Sequence, residues 1–409
     1  MISKHILNEG YIGEEGFISA GKGSNIFINN KKILDLSLCA GSLILGHSSK
    51  IFKDSVREVL KLNISNFAAK NLYAAKLSNT LKKIFPQYSK FIFCNSGSEA
   101  VMKSLRVARA VTHKDLIISA SGSWHGSTGE LLFTNDNKLK NIELSAGLDK
   151  DYSKKLKFIP YNNIVESKKI LDKNRKKIMC IIIEPAQGCL PIDAKKYLKF
   201  LNDYAKKNNI LLIFDEIITG IRFNCSSIQT EFKLHPSISI FGKCFGGGFP
   251  MGIIALKKNI VDKLKKNKKT VFFGGTFSGN SINTYVGNKV VNHIIKNKKY
   301  IFNSLNQKAL YLETKLNNFF TENNFDAKCF RFSSMLRIVF TKKNIKNRTQ
   351  RDFFEKKNKT IIDKFRKFLF KNKIYYAKNG IIFLATSTSY SDINHLINTV
   401  QRGFRRDFK

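Results

Sequence analysis

The sequence predicts an α/β protein: a large domain built on a mostly parallel sheet flanked by helices, with a smaller α+β domain attached. Three observations predict it. Short apolar runs alternate with amphipathic stretches of helical period. The run Ile178–Ile183 (IMCIII) is apolar at every position, as in a strand buried on both faces. A strand, a helix and a second strand follow one another between residues 178 and 214, the βαβ arrangement that makes neighbouring strands parallel. At 409 residues the chain is long enough for a large domain with a smaller partner.

Taken in order, the first fifty residues hold short extended stretches in which Asn29-Asn30 separates two β-prone runs and reads as a hairpin. Helical periodicity then runs from Ile51 to Phe85. The stretch KFIFCNSGSEAVMKSLRVARAVT predicts a strand over Phe91–Cys94, a tight turn, and a helix from Gly97 to about Ala110. After the buried strand at 178–183 come an amphipathic helix around Lys195–Lys207, a strand over Ile210–Phe214, and a third strand, Ser237–Phe241, that ends at Gly242-Lys243. Beyond about Val290 a long helical region leads to strands near Met335–Phe340 and Ile381–Ala385. The domains expected are 1–50 as a segment joining the small domain, 51–290 as the large domain and 291–409 as the small one. In an open α/β sheet ligands sit beyond the carboxyl ends of the strands, which directs attention to Glu184, Asp215 and Lys243.

Composition narrows the class of protein. Apolar residues at 43% and charged residues at 25% suit a soluble globular chain. Cys39, Cys94, Cys180, Cys189, Cys225, Cys244 and Cys329 are widely spaced, with no C-x-x-C pair, so neither a disulfide framework nor a metal site is expected. A reducing cytoplasm fits those thiols. No apolar run reaches membrane-span length, and the start, MISKHILNEGYIGEE, lacks the apolar core of a signal peptide. The net charge of +41 raises nucleic-acid binding as a second class of function. Its lysines are spread among Asn and Ile, as in KLKKNKK at 263–269, without a recognition module, so a solvated basic surface is expected and no specific nucleic-acid partner.

The strand-end residues carry the chemistry. A carboxylate at Asp215, closing the apolar run LLIFD, is costly unless a cation or protonated group meets it, and a protonated pyridine nitrogen would do so. A plain turn cap is the competing reading. Lys243 lies between an apolar strand and glycines 246–248, where desolvation lowers its pKa toward the free amine; in a chain so rich in lysine, a surface residue is the alternative. Ser96 and Glu99 form an S-x-x-E capping pattern, leaving the amides of Gly97 and Ser98 at a helix N-terminus, which suits an anion such as phosphate. Trp124, before His125 and Gly126, could stack on a flat ring, with Ile217 on the opposite face, or simply fill the core.

Together these pieces resemble the class III aminotransferases, and within them the branch containing glutamate-1-semialdehyde aminomutase. The resemblance runs in collinear order through LSLCAGSLILGH, FCNSGSEAVMKSLRVAR, SGSWHG, IIIEPAQG, LLIFDEIITGIRF, FGKCFGGGFPMG, FFGGTFSGN and FLATSTSYSDIN. It implies the type I fold of pyridoxal-phosphate transferases, with pyridoxal 5′-phosphate as cofactor. By matching motif, Lys243 resembles the Schiff-base lysine and Asp215 the partner of the ring nitrogen. Ser96, Gly97 and Ser98 match the phosphate loop, Trp124 stands where the family has a ring-stacking Tyr or Phe and His125 follows it in the same cofactor-binding motif, and Glu184 and Gln187 match the EP-x-x-G segment beside the cofactor, with Gln187 near its 3′-oxygen. Thr276 resembles the threonine that reaches the phosphate from a neighbouring subunit, which implies a homodimer with shared sites.

The substrate end departs from that branch. The aminomutase grips its substrate carboxylate with an arginine near the N-terminus, whereas the first arginine here is Arg57 and the corresponding stretch reads GYIGEEGFISAG. Ala40 stands where that enzyme has a tryptophan. The departure favours an aminotransferase that moves an amino group between an amine donor and a keto or aldehyde acceptor through a Lys243 Schiff base and a pyridoxamine form. The hydroxyls of FLATSTSYSDIN suggest a less charged substrate. The alternative is the aminomutase, which returns the amino group to a neighbouring carbon of the same molecule. A non-catalytic binding protein on the same fold would be expected to lose Lys243 or Asp215, and both are present.

Overall fold

The computed structural model describes residues 16–136, 138–188 and 190–408. The N-terminal stretch up to residue 15 and Cys189 therefore lie outside the described residues. Strands β1 (Ile18–Lys22), β2 (Asn25–Ile28) and β3 (Lys31–Asp35) form an antiparallel meander. The hairpin at Asn29-Asn30 is present, and both asparagines are left-handed, at φ 48° and 59°, the backbone that a tight two-residue hairpin needs.

The chain then builds its main sheet from β4 (Lys90–Cys94) and β5 (Leu116–Ala120), passes through a small hairpin of β6 (Phe133–Asn135) and β7 (Asn141–Glu143), and continues with β8 (Leu156–Ile159) and β9 (Ile178–Ile183). It is completed by β10 (Leu211–Asp215), β11 (Ile238–Gly242) and β12 (Gly252–Leu256). The seven-stranded order is β4-β12-β11-β10-β9-β5-β8. The strands from β11 to β8 are mutually parallel, and β12 runs against both its neighbours. Residues of β9, β10 and β11 are buried throughout, because helices cover both faces. Beneath the sheet lies the helix Gly97–Thr112, two residues longer than the sequence suggests and closed by His113 in the left-handed conformation.

Two helices, Ser281–Lys296 and Lys298–Glu322, make up the long helical region. They lead to a second sheet of β13 (Lys328–Phe332), β14 (Met335–Val339) and β16 (Ile382–Phe383). Between them, β15 (Ile374–Tyr375) pairs in parallel with β3. This pairing ties the N-terminal meander to the C-terminal region. Strand β16 is shorter than the sequence suggests because Ala385 begins a turn, with its N–H donating to Thr388 Oγ1. Among the described residues no helix is long and apolar enough to cross a membrane, and no cluster of three metal-ligating side chains occurs.

Candidate active site

The carboxyl ends of β5, β9, β10 and β11 converge, so Trp124, Glu184, Asp215 and Lys243 line one cavity together with Gly97 and Ser98. Asp215 closes β10 and is buried. Its Oδ2 lies 2.8 Å from His125 Nδ1, and its Oδ1 accepts the Ile217 N–H at 3.2 Å. His125 is buried too, so this contact holds the carboxylate's orientation.

Lys243 follows β11 with φ 46°, a left-handed conformation costly for a side-chain-bearing residue. Burial pushes its amine below the usual lysine range, while the charges of Asp215 and Glu184 pull the other way. Its Nζ donates to the Ala40 carbonyl at 2.8 Å. That carbonyl belongs to a left-handed turn, Leu38–Gly41, with φ of 45°, 54°, 52° and 82°. Only the last of these is glycine, and a Cβ there would also strike Phe383. Asp35 holds the turn by accepting the N–H groups of Ser37 and Leu38 and pairing with His47 Nε2. The next carbonyl, Gly41 O, accepts from Arg222, which is buried and also donates to Ser334 Oγ.

Glu184 joins two walls of the cavity: its carboxylate accepts the Trp124 N–H at 2.9 Å and the Gly188 N–H at 3.3 Å. Burial raises its pKa above the ordinary carboxylate value. Gln187 crosslinks the same walls, donating through Nε2 to Ser121 O at 2.7 Å. At the helix N-terminus Ser96 Oγ accepts the Glu99 N–H as anticipated. The reciprocal half of the cap differs: Glu99 reaches past Ser96 to the Asn95 N–H and pairs with Lys103, because a buried ammonium holds the carboxylate to that side. Ser98 Oγ accepts from Ser127 N, which brings residues 126–127 beside the helix start.

Trp124 is 52% exposed, so it is not a core aromatic. With Ile217 it supplies apolar surface to the cavity. Thr276 is exposed and does not line the cavity. The C-terminal hydroxyls do not form a substrate wall either. Ser387 and Thr388 meet Ser24 Oγ at 3.1 and 2.9 Å, and Thr386 Oγ1 donates to Leu45 O. They are spent on joining the two chain ends. The sequence reading missed the Ala40 carbonyl and Arg348, which donates to Gly122 O at 2.6 Å beside the Trp124 segment. A backbone acceptor has no residue signature, and Arg348 lies outside every recognised motif.

The residues present fit a flat phosphorylated pyridine. Asp215 offers negative charge at the cavity floor, Lys243 a desolvated amine, and Gly97-Ser98 the open amides of a helix start. Gly126 has φ 79°, and a Cβ on it would lie 2.2 Å from Ser98 Oγ. Gly126→Ala is therefore expected to lower stability by about 1–3 kcal/mol and to weaken pyridoxal-phosphate binding. Thermal melts and an absorbance titration with the cofactor check this; unchanged affinity would separate Gly126 from the phosphate seat.

Residues 14–366 match the family described as aminotransferase class-III. The chain is 29% identical to glutamate-1-semialdehyde 2,1-aminomutase of Methanosphaera stadtmanae, covering 96% of this chain and 92% of that protein. It is 30% identical to the protein of the same name from Caldicellulosiruptor saccharolyticus, with 96% and 91% covered. Among solved structures, an omega-transaminase from Sphaerobacter thermophilus superposes at a TM-score of 0.87 and 19% identity, covering 95% of this chain and 90% of that one. A glutamate-1-semialdehyde aminomutase from Pseudomonas aeruginosa superposes at 0.83 and 16%, covering 94% and 86%.

Proposed function

Because the chain belongs to the class-III aminotransferase family, whose members use pyridoxal phosphate and have the type I transferase fold, we propose that it moves an amino group within one molecule, as glutamate-1-semialdehyde 2,1-aminomutase does. The observation that carries this reading is the similarity to curated aminomutases, at 29% and 30% identity over 96% of the chain. It reverses the preference for transamination drawn from the N-terminal segment alone.

Bound in the cavity, pyridoxal phosphate supplies an aldehyde for the amine and a ring that draws electrons from the carbon losing its proton. The chain's own residues do the rest. Lys243 anchors the cofactor and, once its amine is free, takes a proton from one carbon and delivers it to another. Burial favours the free amine needed for that step. Asp215, oriented by His125, keeps the ring nitrogen protonated. Gly97 and Ser98 would seat the phosphate, Trp124 and Ile217 would offer apolar surface to the ring, and Glu184 would stand beside it, with Gln187 in the neighbouring segment that the family places near the 3′-oxygen.

A homodimer belongs to the same proposal. Phe272 and Phe277, 73% and 56% exposed, flank Thr276, and an apolar segment of this kind calls for a covering surface. A second subunit there would place Thr276 against its neighbour's phosphate. The buried free thiols Cys94, Cys180 and Cys329 suit the cytoplasm.

The test is formation of 5-aminolevulinate from glutamate-1-semialdehyde with saturating pyridoxal phosphate. An efficiency of about 10⁴ M⁻¹ s⁻¹ or more is expected. The lack of arginine before Arg57 favours a second reading, transfer to a separate carbonyl acceptor. No 5-aminolevulinate, with amine-dependent conversion of the cofactor to its pyridoxamine form, would select that reading and sink the first.

A further inference from the structure

We propose that Lys103 is a positioning residue for the cofactor's phosphate: by neutralising and fixing Glu99, it keeps the anion seat at the helix start free of an opposing negative charge. This inference rests on the pyridoxal-phosphate reading above and deepens it. The seat offers the amides of Gly97 and Ser98, and Glu99 belongs to the same first turn. Burial alone would raise the Glu99 carboxyl, but bonds from Lys103 and the Asn95 amide outweigh it and hold it below its usual range, so it is ionised at neutral pH. Left alone, a carboxylate one residue from the seat would repel a phosphate.

Lys103 removes that repulsion. One helical turn further on, its Nζ donates to Glu99 Oε1, while Glu99 Oε2 accepts the Asn95 N–H at 2.7 Å, so both carboxylate oxygens are engaged. The ammonium is held in turn by Phe273 O at 2.8 Å and Gly274 O at 3.3 Å, which with Glu99 occupy its three donors. Lys103 is 2% exposed. Its other titratable neighbour, the Cys94 thiol, is pushed up to about 12 by burial and carries no charge. Among the described residues no other cation pairs with Glu99.

Helix stability alone does not account for this placement. A glutamate four residues ahead of a lysine is an ordinary stabilising pair on an exposed helix face, but here the lysine is sealed under residues 272–274. Taking an ammonium out of water costs about what its attraction to a carboxylate returns, and an acid in the first turn already suits the helix dipole without a partner. What the pair changes is the charge beside the seat. Arg106 Nη1 also donates to Phe272 O at 2.8 Å, so three successive carbonyls are held just ahead of Gly275, where a Cβ would lie 3.4 Å from Glu99 Oε1. This stretch packs against the carboxylate and limits the water that would otherwise screen it.

The test compares pyridoxal phosphate with pyridoxal, which lacks the phosphate, by absorbance titration of the full chain freed of cofactor, as wild type, Lys103→Met, Glu99→Gln and the double variant. Lys103→Met is expected to weaken pyridoxal-phosphate binding roughly ten- to a hundredfold and to leave pyridoxal unchanged, and the double variant to recover most of the lost affinity. Glu99→Gln, with an unopposed ammonium beside the seat, is expected to bind pyridoxal phosphate at least as tightly as wild type, and it decides the matter if Lys103→Met does not fold. Wild-type affinity in Lys103→Met, equal weakening of both aldehydes, a double variant no better than Lys103→Met, or weaker pyridoxal-phosphate binding by Glu99→Gln would overturn the assignment. Wild-type protein that binds the two aldehydes equally would remove the phosphate seat itself, a failure distinct from that of Lys103.

Discussion

Lys243→Ala protein is expected to fold and to bind pyridoxal phosphate without the visible absorbance of lysine-bound cofactor, while turnover falls by at least about 10²–10⁴-fold. The expectation follows from position. Lys243 is the lysine lining the cavity, and burial lowers its pKa, which favours the free, nucleophilic amine. Truncation to Ala removes both the anchor and the proton carrier but leaves the strand-end backbone in place. Left-handed geometry at this position is already unfavourable for lysine, so alanine adds no new strain. Borohydride reduction of wild-type protein followed by peptide mapping should recover the label at residue 243; recovery on any other lysine would refute the assignment.

Asp215→Ala should cost about 10²–10³-fold in kcat, with the cofactor still attached through Lys243. The same change strands the buried His125, which loses its Nδ1 partner, at a cost of about 1–3 kcal/mol. Asp215→Asn separates the two effects. Its amide group can still meet His125, so stability should largely return, whereas the charge needed to hold a ring proton does not. Comparing kcat with the melting temperature in both variants decides the matter. Wild-type turnover in Asp215→Asn would reduce the residue to a structural brace.

The readable parts of the site were those governed by local rules. A strand end after an apolar run placed Asp215 and Lys243, and a serine three residues ahead of a glutamate placed the helix start at Gly97. Both depend on periodicity and backbone chemistry that a short window of sequence contains. What escaped depends on tertiary pairing. Nothing in Leu38-Cys39-Ala40 marks three successive left-handed residues, since the turn is held by Asp35, which accepts the Ser37 and Leu38 N–H groups, and Phe383 leaves room only for glycine at the next position. The C-terminal hydroxyls read as a substrate wall because composition does not say what they face, and they face Ser24. Glu99 likewise obeyed its capping pattern only in part, because Lys103 competed for it.

The meeting of β3 with β15 also sets an order of events. Leu36 N–H donates to Tyr375 O, and Leu36 O accepts from Phe383 N–H, so the turn that presents Ala40 O to Lys243 is bracketed by residues made some 340 positions later. Pairings that close so long a loop form slowly. On a translating ribosome, the reactive lysine would emerge and its sheet could condense well before its carbonyl partner is held in place. Mature amine geometry is thus expected only in completed chains, and cofactor uptake by chains released before residue 374, compared with full-length protein, would measure how far capture waits for the end of synthesis.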